Sequence, residues 1–151
     1  HAAATVVKHI CDSIEKNCPA TRILVMGDFN DDPVNASVKK VLGTHNLPLS
    51  HASGQFFNPM EDLYRKGIGS LAWQDSWNLF DQILLNSQWA WNQKGWHFYE
   101  ARVYNKAYLR SDYGNFRGYP FRTFSGGAYT GGYSDHFAVY IILVRQSATN
   151  N

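Results

Sequence analysis

Ile23-Leu24-Val25-Met26 is an unbroken apolar run, with Pro19 shortly before it and Gly27 directly after. A strand sends successive side chains to opposite faces, so a run without polar alternation is expected to be buried on both. That requirement excludes a lone sheet with one wet face and demands cover on either side. Ahead of the run, Ala3, Val6, Val7, Ile10 and Ile14 recur at helical spacing, with Lys8, Asp12, Glu15 and Lys16 between them. The pattern predicts an amphipathic helix over residues 2–16, ended by Asn17 and Pro19. One helix cannot cover both faces, so the sheet is expected to pack against a second sheet or against something outside these residues.

The rest of the chain alternates in kind. Asp28-Phe29-Asn30-Asp31-Asp32-Pro33 reads as a polar, turn-rich loop. Asn35 can cap a short helix carrying Val38, Val41 and Leu42 and closed by Gly43. Residues 44–58 show no clear period. Asn58-Pro59 followed by Met60, Leu63 and Tyr64 predicts one or two helical turns stopped at Gly67. Leu79 to Leu85 reads as a strand with Asp81 inside it, strand-like pieces lie near Phe98 to Tyr104, and His136 to Val144 is the last apolar strand. Helix, buried strand, helix and then several strands make an α/β fold with a mixed or mainly antiparallel sheet. A length of 151 residues suits one domain. It is assigned to residues 1–145, with 146–151 a frayed, disordered polar tail.

Composition narrows the function classes. Hydrophobic residues make up 44% and charged residues 17%, which is globular rather than disordered. The net charge of +2 falls short of a strongly basic nucleic-acid binder, while permitting a phosphate-bearing substrate. No apolar run approaches the roughly 18 residues of a membrane span. The chain opens on His1 with no signal-peptide pattern, so the natural N-terminus and any leader are expected to lie upstream. Cys11 and Cys18, if both helical, would sit about 10 Å apart at the α-helical rise. That is beyond disulfide reach, and two free thiols are the expectation unless the helix ends before Cys18.

Three separated features share one design, a polar cluster at the edge of an apolar strand. They are Gly27-Asp28-Phe29-Asn30, Asp81 within Phe80 to Leu85, and Ser134-Asp135-His136 before Phe137 to Val144. Strand ends in an α/β sandwich can converge on one rim. Asp, Asn and His there suit phosphoester hydrolysis, which needs a carboxylate to orient or deprotonate water, donors for transition-state charge, and a metal to neutralise phosphate. Magnesium takes oxygen ligands, usually one or two carboxylates plus phosphate and water. Each residue also has a structural reading: Asp28 and Asn30 as turn or cap residues, Asp135 and His136 as a surface pair, Asp81 as the partner of Arg102 or Arg122. Asp81 is the hardest to dismiss, because an unpaired carboxylate in an apolar strand is costly.

Val25-Met26-Gly27-Asp28-Phe29-Asn30-Asp31-Asp32-Pro33 resembles the Gly-Asp-Phe/Leu-Asn motif of the endonuclease/exonuclease/phosphatase superfamily. Tyr133-Ser134-Asp135-His136-Phe137-Ala138-Val139 resembles its C-terminal Ser-Asp-His motif, and Phe80-Asp81-Gln82-Ile83-Leu84 the strand carrying a third Asp. The three occur in the family's order, and the resemblance covers nearly the whole chain. Residues Tyr104 to Val144 are also similar to secreted or cell-envelope members from Bacteroides-type bacteria. The resemblance implies the C-terminal half of a four-layered α/β sandwich with a deoxyribonuclease-like fold, and a metal-dependent hydrolase of phosphodiesters or phosphomonoesters. It implies that Asp28 orients or activates water, Asn30 holds it or the phosphate, and Asp135 binds Mg2+ or Mn2+. His136 would contact the phosphate and Asp81 would orient His136.

The family's first half carries an Asn and a Glu for the metal, and Glu15, Glu61 and Glu100 stand in unrelated contexts. The chain is therefore expected to be a fragment supplying half a site, weakly active or inactive alone, and in need of its complement or of self-association. Its substrate would be a phosphate ester, nucleic acid included. Residues 96–133 read as a long hairpin packed by its own aromatics, or as a substrate rim in which Tyr119 and Arg122 are the expected contacts by their nearness to the C-terminal motif. The competing reading is a non-catalytic nucleic-acid- or carbohydrate-binding module that retains the fold.

Overall fold

The computed structural model describes residues 1–47, 54–90 and 95–145. In chain order the helices are α1 (Ala2–Asn17) and α2 (Met60–Arg65). The first five strands are β1 (Leu24–Asp28), β2 (Thr44–His45), β3 (Phe56–Phe57), β4 (Leu71–Trp73) and β5 (Ser76–Asn78). They are followed by β6 (Asp81–Asn86), β7 (Trp96–Tyr104), β8 (Phe124–Ser125), β9 (Ala128–Tyr129) and β10 (Ala138–Arg145). The polar segment 146–151 lies outside the described residues. No helix among them is long and apolar enough to cross a membrane.

The main sheet has the order β1-β6-β3-β2. Its β1–β6 and β3–β6 pairs are antiparallel and its β2–β3 pair is parallel. β6 is the central element, buried from Gln82 to Asn86. On one side Leu84 meets Ile23, Leu42, Phe56 and Cys11, with Ala4, Val7, Val25 and Phe29 packed against them. On the other side Ile83 joins Leu79, Met60 and Ala101, against which Phe98, Val103, Val139 and Ile141 pack. Those last residues belong to β7 and β10, an antiparallel second sheet. Helix, sheet and second sheet thus form successive layers of a mainly antiparallel α/β fold, with β6 inside because Leu84 faces one neighbouring layer and Ile83 the other.

β1 departs from the expectation of burial on both faces. Leu24 is 39% and Met26 72% exposed. β7 and β10 are the only strands of the second sheet among the described residues, and they cover β6 but leave the outer face of its edge neighbour open. α1 likewise docks through Ala4, Val7 and Cys11, while Val6, Ile10 and Ile14, on the adjacent helical row, stay exposed. Both cysteines are free, Cys11 buried and Cys18 exposed. Burial pushes the Cys11 thiol up.

Two further expectations are corrected. The short helix after β1 is a π-helical turn over Ser37–Val41, closed by Leu42 N–H donating to Ser37 O at 3.1 Å. Its start is held by the backbone carbonyl of Asn35, which accepts from Val38 and Lys39. The Asn35 side chain does not cap it, because it donates to Asp31 instead. Nor do residues 96–133 make a long hairpin of their own. β7 pairs with β10, and 105–137 is an excursion between them with short 3-10 turns at Ala107–Leu109 and Gly114–Phe116 and the small β8–β9 hairpin.

Candidate active site

The three polar clusters occupy the ends of β1 and β6 and the approach to β10. In the β1–β6 register Asp28 lies directly opposite Asp81. Residues so paired project to the same face with Cβ atoms about 4.5–5.5 Å apart. The pairing continues past the strand end, with Phe29 N–H donating to Phe80 O at 2.8 Å. The chain then turns through Asn30 at φ 51°, a left-handed conformation that Asn tolerates better than most side chains. That turn aims Asn30 N–H at Asp28 Oδ1, 2.8 Å away. The backbone of Asn30 therefore fixes the Asp28 carboxylate, while its side chain remains on the exposed surface.

Asp81 is paired with neither Arg102 nor Arg122. Its Oδ2 lies 2.8 Å from His136 Nδ1, with about a fifth of each side chain exposed. Against an ionised carboxylate Nδ1 carries the proton and donates, which leaves Nε2 for another partner. Arg102 is instead engaged by Glu100 through two hydrogen bonds. Ser70, fully buried, brings the two halves of the pair together. Its carbonyl accepts Phe137 N–H at 2.7 Å, and its hydroxyl accepts Asp81 N–H at 3.5 Å. Ser134 Oγ accepts His136 N–H at 3.2 Å, which bends the chain into β10.

Behind these residues lies a polar scaffold that sequence reading missed. Asp32 looks like one more loop aspartate, yet it is buried and accepts from Leu79 N and Asn78 Nδ2, each at 2.8 Å. Burial first, and then the neighbouring Asp32 carboxylate, pushes the Tyr64 hydroxyl up. Gln82, fully buried in β6, donates to Asp31 O at 2.6 Å and accepts from Asn58 Nδ2 at 2.8 Å. Hydrogen bonds from Ser37 and Asn35 hold the Asp31 carboxyl below its ordinary range. The available signal was Gln82 itself, an uncharged amide inside an apolar strand, which must find partners.

The remaining candidates stand apart. Asp135 is exposed, with no hydrogen bond or ion pair among the described residues. Tyr119 has its hydroxyl occupied: it donates to Asp75 Oδ1 at 2.6 Å and accepts Asp75 N–H at 2.9 Å. Arg122 is half-buried, and its guanidinium has no ion pair among the described residues. No cluster of three or more His, Cys, Asp or Glu suited to a metal occurs among the described residues. Asp28, Asp81 and Asp135 offer the oxygen chemistry of a magnesium site but not a complete shell, since Asp81 is committed to His136 and Asp135 stands alone.

Neither the curated proteins nor the solved structures contain a match to this chain. The description that does match, over residues 1–145, is the Endonuclease/Exonuclease/phosphatase family. Nearly the whole chain is covered, and the matched span includes both strand-end aspartates and the Asp81–His136 pair. The chain therefore belongs to the endonuclease/exonuclease/phosphatase family.

Proposed function

We propose that this protein hydrolyses phosphoesters, with Asp28 and the Asp81–His136 pair as its chemical centre. The observation that carries the reading is the Asp28–Asp81 register together with the 2.8 Å contact from Asp81 to His136. It supports Asp28 as the water-orienting carboxylate and His136 as an imidazole directed by Asp81. In the reaction the water oxygen bonds to phosphorus and loses a proton to Asp28, while the phosphorus–oxygen bond to the leaving alcohol breaks. The alcohol oxygen takes a proton from solvent. His136 Nε2 faces the phosphate oxygens and stabilises their developing charge, and Asp81 holds the ring through Nδ1. The Asn30 amide takes the water or the phosphate.

A divalent ion, Mg2+ or Mn2+, supplies charge neutralisation to the family's chemistry. The residues described here make an incomplete site for it. Asp135 would contribute one oxygen ligand, and further ligands would have to come from outside this set. Weak turnover is the consequence. Arg122 and Tyr119 form the substrate rim, Arg122 through its guanidinium and Tyr119 through its ring, since its hydroxyl is spent on Asp75.

The deciding experiment is hydrolysis of bis(p-nitrophenyl) phosphate with Mg2+ or Mn2+, by the chain and by Asp28→Ala. Turnover lost in the variant supports the assignment. Turnover equal in both would overturn it.

The open face of β1, with Leu24 and Met26 on an edge strand, is proposed to seat a further protein surface, a second copy of the chain being the simplest.

A further inference from the structure

The excursion between β7 and β10 and the β4–β5 turn together enclose a cleft of about 710 Å³, with Trp73, Tyr113, Phe116, Tyr119 and Phe121 among its walls. Packing accounts for some of these rings. Tyr119 lies 5.7 Å from both Trp77 and Phe116 between ring centroids, and Trp77 stacks on Phe137, the residue after His136. Packing does not account for Trp73, which is 62% exposed and has no ring partner among the described residues. A bare indole on a cleft wall is an unfilled contact surface.

The neighbouring turn is built at a cost. Gln74 and Asp75 sit at φ 48° and 60°, a conformation that Gly, Asn and Asp tolerate but Gln rarely adopts, and both Tyr119 hydrogen bonds clamp Asp75 there. Another wall is fastened to the catalytic loop. Gly132 N–H donates to Arg122 O at 3.1 Å and Tyr133 N–H to Phe121 O at 2.8 Å, two residues and one residue before Ser134. A Cβ on Gly132 would fall 2.1 Å from Phe121 O and 2.2 Å from Arg122 O, so only glycine lets these segments meet. Arg122 is thereby carried on the segment bonded to the loop that ends in Asp135 and His136, its guanidinium without an ion pair among the described residues.

We propose that this cleft holds a polyhydroxylated sugar ring on the alcohol side of the scissile phosphate, with the ring face on Trp73 and Arg122 on a phosphate oxygen. The inference rests on the hydrolase reading and names its substrate class as sugar phosphate esters. A nucleobase presents hydrogen-bonding groups only in its own plane and asks mainly for stacking surface. A sugar ring presents hydroxyls around its whole circumference, each both donor and acceptor. The cleft matches the second demand, because Gln74, Asp75, Ser111, Asn115 and Ser125 line it from three segments around the aromatic walls.

The test is calorimetric titration with glucose 1-phosphate, with glucose, inorganic phosphate and adenosine monophosphate in parallel. Glucose 1-phosphate should bind at least about tenfold tighter than any of the others. Trp73→Ala should weaken it about tenfold, and Arg122→Gln by about ten- to hundredfold, toward the affinity of glucose. Asn115→Ala, on an exposed loop, guards against misfolding of the tryptophan variant and should cost several-fold. Tighter binding of the nucleotide, or affinity unchanged in Trp73→Ala and Asn115→Ala, would overturn the proposal. The two readings fail separately. Turnover of glycerol 3-phosphate with no sugar preference removes the ring subsite and leaves the hydrolase. Sugar-phosphate binding lost in Trp73→Ala, with no turnover of any ester, keeps the subsite and removes the hydrolase.

Discussion

His136 Nδ1 and Asp81 Oδ2 meet at 2.8 Å across 55 residues of sequence, held by Ser70, whose carbonyl takes the amide of Phe137 and whose hydroxyl takes that of Asp81. Replacing Asp81 by Asn keeps the shape but offers the ring an amide, which can present its N–H₂ to Nδ1 and favour the other tautomer. Turnover of a phosphodiester should fall about 10- to 100-fold, the usual cost of losing a positioning partner. KM should be nearly unchanged. His136→Gln should cost more, about 10²–10⁴-fold. Steady-state kinetics with a thermal melt of each variant checks this. A KM effect without a kcat effect would contradict the positioning role.

Asp28 and Asp81 are like charges paired directly across strands, an arrangement that costs stability. Asp28→Asn should therefore abolish turnover while raising stability by up to about 1 kcal/mol, or about 2–4 °C in Tm for a domain of this size. Calorimetry and the phosphodiester assay on one preparation separate the two effects. A lower Tm would mean that Asp28 serves the fold.

Asp32 binds the loop after β1 to the β5–β6 connection through Leu79 N–H and Asn78 Nδ2. Asp32→Ala strands two donors in a buried place, at about 1–3 kcal/mol each. The loss should appear as a lower urea midpoint. Turnover should also fall, because the same loop carries Asn30 and starts directly after Asp28.

Glu61, fully buried, receives Lys39 Nζ at 2.9 Å and Arg65 NH2 at 2.7 Å. Burial pushes its carboxyl up, but these two hydrogen-bonded cations outweigh burial and hold it below the ordinary glutamate value. A carboxyl depressed on folding contributes stability above its unfolded pKa of about 4.3, and that contribution is lost as pH falls through the folded value. Urea midpoints should therefore drop between pH 7 and pH 3, with Asp31 adding to the fall in the same direction. Glu61→Gln should destabilise at pH 7 by about 1–3 kcal/mol and shrink the pH difference.

Leu24 and Met26 lie open on the edge strand β1. Sedimentation velocity across a concentration series should show association, and Met26→Lys should suppress it. A monomer at every concentration in both proteins would remove the proposed second copy.

The local sequence was sufficient for the elements whose signal is periodic or abrupt. α1 follows from its apolar spacing, α2 stops just before Gly67, and β6 and β10 follow from long apolar runs. Asp28, Asn30, Asp81, Asp135 and His136 could be singled out because polar residues at apolar strand ends are conspicuous. What required the tertiary structure was every relationship between distant segments. Periodicity marks a face as apolar but does not say what covers it, so Met26 and Ile10 read as core and lie in solvent. β2 and β3 span two residues each, too short for any pattern, and exist through pairing with their neighbours. Asp32 and Asp31 are chemically identical in a row, and burial separates a staple from a loop carboxylate only once Asn78 and Leu79 arrive from 46 and 47 residues away. The hydrogen bonds that give Asp81, Gln82 and Tyr119 their meaning are likewise made across long sequence separations. A one-dimensional reading names the groups, while chain closure chooses their partners.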